Sequence, residues 1–175
     1  MKIRDRFTRG WVAGACGGLL GGLFSFLPYA MGLSTMRITD WSAIMSYGRV
    51  SPFSSADQAY ALFVLAVSTG FIGIIFAYLL PLVTEDNLYF KGWTIYLVPW
   101  WMIYLLTGLA KTAGTVNLSV MTTLFDGIAV SIMGLGTVAS YRLLDPKFSA
   151  KTVYSFGLPQ PAAKPIGIKD GEEAE

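Results

Sequence analysis

The chain contains no histidine, and its only cysteine is Cys16. A single thiol excludes an intramolecular disulfide, so the covalent staple of small secreted domains is not available. The missing histidine excludes bis-histidine haem ligation and the common zinc sites. It also removes the side chain most often used for general acid–base catalysis. Charge is scarce as well: Asp, Glu, Lys and Arg make up 14% of the 175 residues, with a net charge of +2. That is too little to imply a nucleic-acid partner, and no basic stripe interleaved with aromatics appears. There is no Walker A loop, no nucleophile elbow, no paired-carboxylate motif within an apolar run and no metal-ligand spacing. The expectation is a non-enzymatic protein with no cofactor and no metal.

What the chain does have is apolar surface. Hydrophobic residues make up 54% of it and its mean hydropathy is +0.54, beyond the apolar share of ordinary soluble domains. The charges are segregated, with runs of about twenty residues free of them and most of the charge in connectors and ends. Water does not tolerate that arrangement; a bilayer does. A membrane-crossing helix needs roughly 20 apolar residues for about 30 Å of hydrocarbon. Four stretches qualify: Trp11 to Leu33, Ala59 to Leu82, Trp93 to Leu109, and from about residue 120 to Leu144, where Leu118 and Leu124 are both plausible starts. Trp11, Tyr60, Tyr89, Phe90, Trp93 and Tyr141 stand near the ends of these runs, as an interfacial belt requires. The expected fold class is all-α, an integral membrane four-helix bundle over residues 1–145 with a short extra loop helix. Residues 146–175, rich in Pro and Gly and ending in Glu172, Glu173 and Glu175, are expected to form a flexible, disordered cytoplasmic tail.

Orientation follows from the basic residues. Lys2, Arg4, Arg6, Arg9, Lys91, Arg142, Lys147 and Lys151 fall on one side, against Arg37, Arg49 and Lys111 on the other. The bias places both termini in the cytoplasm of a multi-pass protein of the cell membrane; Lys164 and Lys169 lie too far along the tail to count. Two rival readings of the N-terminal run are weaker. A secretory signal ending near Ala30-Met31-Gly32 would need an unusually long apolar core. A lipoprotein site at Cys16 would have only Trp11 to Ala15 before it, with Ala13 where leucine is expected.

The connector from Ser34 to Gln58 is predicted to hold a helix over Thr39 to Gly48, capped by Thr39 and ended by Gly48. Trp41, Ile44 and Met45 share one face of it, which either lies in the outer interface or docks on the other helices. Ser55-x-x-Gln58 reads as a capping box opening the second long run.

The strongest local pattern is a pair of glycine rows. Gly10, Gly14, Gly18 and Gly22 recur at every fourth residue, as do Gly17, Gly21 and Ser25 beside them. Each row follows one helix face and lets another backbone come close, where packing substitutes for the hydrophobic drive. The neighbour is either within the chain or in a second copy or another membrane subunit. Ala66, Gly70, Gly73 and Ala77 offer one complementary surface, and Gly127, Ser131, Gly134 and Ser140 another.

Asp126 is the acidic residue that falls within an apolar run. A start at Leu118 places it about 12 Å deep at 1.5 Å per residue, where a carboxylate invites a functional reading. A start at Leu124 places it in the first turn, where it suits the helix dipole. Lys111, Arg37 and Arg49 are the cations available to it. Pro28, Pro81 and Pro99 lie in or near the runs, and Pro99 should kink the third. Asn117-Leu118-Ser119 matches a glycosylation sequon too close to a run to be convincing.

The stretch from Phe90 to Trp101, with Lys91-Gly92 opening an aromatic-rich run and Gly127, Gly134 and Gly136 in the next, resembles a segment of YqhR-like small multi-span membrane proteins of Gram-positive bacteria. The resemblance covers roughly the second half of the chain and implies a multi-span helical fold; it supplies no activity and no site residue. The expected function is a helix-packing or accessory membrane subunit, in contact with the lipid bilayer and with a second copy or another subunit. A small transporter or channel using Asp126 is the alternative, and an intramembrane enzyme the third reading.

Overall fold

The computed structural model describes residues 3–48, 50, 52–80, 87–112, 114–115 and 118–145. Outside them lie the expected tail, Lys2, Arg49, Pro81, Asn117, Lys147 and Lys151. The described residues are all-helical, without a strand: α1 (Arg6–Phe24), α2 (Phe26–Ala30), α3 (Ile38–Tyr47), α4 (Ser55–Leu79), α5 (Leu88–Leu109) and α6 (Val120–Leu144). Three segments, Arg6–Ala30, Ser55–Leu79 and Val120–Leu144, are long and apolar enough to cross a membrane. At 22 residues α5 has the length as well, about 33 Å at 1.5 Å per residue. It lacks the uniform apolarity, because Trp93, Tyr96, Trp100, Trp101 and Tyr104 carry polar edges and Lys91 and Pro99 interrupt the run.

The helix starts differ from the sequence expectation in instructive ways. α1 begins five residues early, at Arg6, because Asp5 caps it by accepting from the Thr8 amide at 2.6 Å. The Thr8 hydrogen bonds hold the Asp5 carboxyl below its ordinary pKa. α4 begins at Ser55 behind a capping box one residue earlier than predicted, Ser54 with Asp57. Gln58, the expected box partner, turns inward instead. Thr39 does not cap α3; Arg37 precedes the helix, and its amide donates to Asp40 Oδ2 at 2.8 Å. Gly48 does end α3, with φ of 64°, where a side chain would be strained. At Ser25 the first helix breaks into α1 and α2, and the hydroxyl donates back to the Gly22 carbonyl at 2.7 Å. α5 runs through Pro99 without interruption.

α1 sits between α4 and α6, α6 also packs on α5, and α3 lies on α4. The glycines explain the first two contacts. A Cβ at Gly10 would meet the Gly73 carbonyl at 2.7 Å, and one at Gly14 would strike the Thr69 carbonyl and reach Gly73 Cα at 2.9 Å. Gly18 faces the Thr69 side chain, so this row runs down α4. Gly17 and Gly21 face the carbonyls of Met133 and Ala129, so the second row runs down α6. Both rows are therefore used within the chain. Of the two complementary surfaces, Ala66, Gly70, Gly73 and Ala77 are on the buried side of α4. The α6 surface is a correction: Gly134 and Ser131 meet α5, through the Gly92 carbonyl and the Trp93 indole, while α1 lies against Ala129, Met133 and Thr137.

Candidate functional site

Polar side chains are buried at both ends of this helix array. At the end holding the N-terminus, the Arg9 guanidinium pairs with Asp145 at 3.2 Å, donates to the Tyr141 hydroxyl at 2.8 Å and lies 4.6 Å from the Tyr141 ring centre. By its place in the sequence Arg9 is one more exposed cytoplasmic cation. It is buried because α1 starts early enough to carry it onto the face toward α6. The Asp5 cap is the sequence signal that points to this start.

At the opposite end, Asp126 is the seventh residue of α6, whose N-cap is Ser119. The Ser119 hydroxyl already accepts from the Thr122 amide, so Asp126 caps nothing. Its carboxylate is 2% exposed and lies one to two turns inside the helix, about 9 Å from Val120 at 1.5 Å per residue. Oδ2 accepts from Trp41 Nε1 of α3 at 3.0 Å and from the Tyr104 hydroxyl of α5 at 2.7 Å. The Trp41 and Tyr104 rings stand 4.8 Å apart, and Trp100 is 4.9 Å from Tyr104 on the other side. No cation pairs with Asp126 among the described residues. Arg37 is engaged by Asp40 at 3.3 Å and stacks over Tyr29 at 4.3 Å. The helix-start and salt-bridge readings of Asp126 are both corrected: aromatic N–H and O–H groups from two other helices hold it.

A second cluster lies beside it. Asp40, buried in the first turn of α3, accepts from Gln58 Nε2 of α4 at 2.6 Å, and Thr39 donates to Gln58 Oε1 at 2.8 Å. Thr122, also buried, accepts from the Thr35 amide at 3.0 Å and contacts the Ser119 hydroxyl at 2.9 Å. Together these bonds tie the segment from Ser34 to Trp41 to α4 and α6. They decide between the two readings of the loop helix: Trp41 and Ile44 are buried against the other helices, and Met45 alone of the three is exposed, at 58%. Deeper still, Tyr96 joins three helices, donating to the Thr69 carbonyl at 3.1 Å and accepting from Thr137 at 2.8 Å.

The arrangement around Asp126 can orient and fasten, since one carboxylate oxygen holds side chains of two other helices. No group of three metal-ligating side chains occurs among the described residues. The cavity next to Asp126, about 170 Å³, is walled by Trp41, Leu65, Ile72, Trp100, Tyr104 and Met133 among others, and is almost wholly apolar. The glycine rows and Asp126 do not form one site, since the first fix α1 and the second fixes α3 and α5. No family model matches the chain, and neither does any curated protein or solved structure.

Proposed function

We propose that the chain is a non-enzymatic, four-span protein of the cell membrane with both termini in the cytoplasm, acting as a helix-packing or accessory subunit. The observation that carries this reading is how Asp126 is used: both of its hydrogen bonds go to side chains that anchor α3 and α5 to α6. Burying a carboxylate in such a place costs several kcal/mol unless it is satisfied, and here its donors are supplied by the elements it fastens. α5 is the fourth span in this reading. Its Trp and Tyr residues lower its apparent apolarity, but such amphipathic rings are common in membrane helices near the interfaces. The proposed likeness to YqhR-like proteins supports a multi-span fold and adds no activity. Because the glycine rows are occupied within the chain, any contact with a second copy or another subunit would use a different face.

The transporter reading keeps one supporting observation, a buried acid that no cation pairs among the described residues. Against it stands the cavity beside that acid, whose walls are mostly apolar. Asp126→Asn separates the two. As a fastener, Asn keeps one oxygen acceptor, so the variant should lose only about 1 kcal/mol of stability, in keeping with the modest worth of interhelical hydrogen bonds in membranes. Asp126→Ala, which strands both donors, should lose about 1–3 kcal/mol. Proteoliposomes carrying wild type or D126N should show the same cation and proton leak. A flux present in wild type and abolished in a folded D126N would replace this reading with the transporter. Reporter fusions after Glu175 and within the Ser34–Gln58 connector test the topology, and should report opposite sides of the membrane.

A further inference from the structure

α4 and α5 barely touch, and a cleft runs between them. At its end away from the N-terminus, α3 and α6 complete the walls of the cavity of about 170 Å³ beside Asp126. The residues lining this cavity are buried or half-buried except Met45 and Ser68, whose exposure marks its opening. Asp126 itself does not line it. Trp41 and Tyr104 do, and their N–H and O–H groups reach the carboxylate, which therefore stands behind the rings. Trp41, Tyr104 and Trp100 form a row, with neighbouring ring centres 4.8 and 4.9 Å apart.

What the described residues do not supply here is positive charge. Buried charges in proteins are normally paired, yet Asp126 has two neutral donors and no cation among the described residues. Arg37 is held by Asp40, and no lysine or arginine lines the cavity. The walls decide which cation fits. A metal ion takes about six oxygen ligands, and these walls are mostly hydrocarbon and ring, with the Thr69 hydroxyl already donating to the Leu65 carbonyl at 2.8 Å. A cation that carries its own apolar shell suits them. Aromatic rings attract such a charge through their electron-rich faces, and an indole or phenol that donates to an anion is richer in electrons still. The volume equals that of about five waters at ~30 Å³ each, room for a nitrogen with a few carbons around it. We propose that the cavity binds a small alkylated ammonium ion, held by the row of rings and by the Asp126 charge behind them. Asp126 keeps both of its hydrogen bonds, so the site goes beyond the fastening role without altering it.

The test is calorimetric titration of the full chain in mild detergent with choline, and with its uncharged isostere in which carbon replaces the nitrogen. Wild type should bind choline about tenfold more tightly than the isostere, as a charge held by rings and a desolvated carboxylate implies. In Asp126→Asn the preference should fall to about twofold, because the rings remain and the carboxylate charge is gone. Ser68→Phe, at the exposed mouth, should weaken both ligands about tenfold by filling the cavity, without lowering the unfolding midpoint. That variant leaves the Asp126 bonds in place, so the site stays testable even where D126N does not fold. Equal binding of choline and isostere by wild type, an unchanged preference in folded D126N, or full binding by S68F each overturns the proposal. None of these results touches the fastening role, which the stability of the Asp126 variants reads separately.

Discussion

α1 and α5 are both long, largely apolar helices, yet they meet their neighbours in opposite ways. α1 buries two stripes, each made almost entirely of glycine, and two other backbones come within van der Waals distance of it. α5 buries one narrow stripe, Leu88, Gly92, Tyr96 and Thr107, and presents large rings elsewhere, with Trp101 67% exposed. The difference lies in side-chain volume at the contact row. Where it is zero, a helix can be clasped on two sides at once; where it is large, neighbours stand off and a cleft opens.

The largest effect is expected where that clasp presents only backbone. Gly14→Leu has nowhere to go, because the Thr69 carbonyl and the Cα atoms of Gly70 and Gly73 cannot rotate away. It should cost about 3 kcal/mol or more, at the top of the overpacking range, read as an earlier unfolding midpoint in mild detergent. Gly18→Leu should cost less, since the Thr69 side chain in its way can move. Wild-type stability in both variants would mean that α4 does not lie on this face.

Gly134→Leu carries the same test to α5. Its Cβ would meet the Gly92 carbonyl at 2.8 Å and Trp93 Cα at 2.9 Å. A loss of about 2 kcal/mol is expected, with Trp fluorescence reporting detachment of α5 while the contacts of α1 persist. A loss equal to that of Gly14→Leu would erase the contrast between the two helices. The smallest change should carry the opposite sign. Gly108 lies in the last turn of α5, and a Cβ there would have no neighbouring atom within 4 Å. Gly108→Ala should stabilise by at most about 1 kcal/mol, through the lower entropy of the unfolded chain. A destabilised G108A would reveal a neighbour at that end of α5.

The glycine contacts are legible in the sequence because they are written with a four-residue period in one segment, and that period survives folding unchanged. Their partner on α4 can be read for the same reason. The partner on α6 cannot, because Gly127, Ser131 and Gly134 form an equally small-residue row that serves α5 instead. Asp126 is legible as an anomaly and illegible in its role. Its donors lie 85 and 22 residues away in the chain, and nothing in an indole or a phenol announces which carboxylate it will face. The Arg9–Asp145 ion pair is hidden by a boundary: with the helix begun at Trp11, Arg9 belongs to a connector, and only the cap at Asp5 brings it onto the helix.

That ion pair has a bearing on the order of synthesis. Arg9 is made near the beginning of the chain, and its partners Tyr141 and Asp145 come more than 130 residues later. On the four-span reading, the first helix enters the membrane with both glycine faces bare and its arginine without a counter-charge, and it waits through the insertion of every other helix. Its second face and the counter-charge of its arginine come together, when α6 arrives. A chain halted before α6 thus displays at its start a charge without its counter-charge and an uncovered glycine groove.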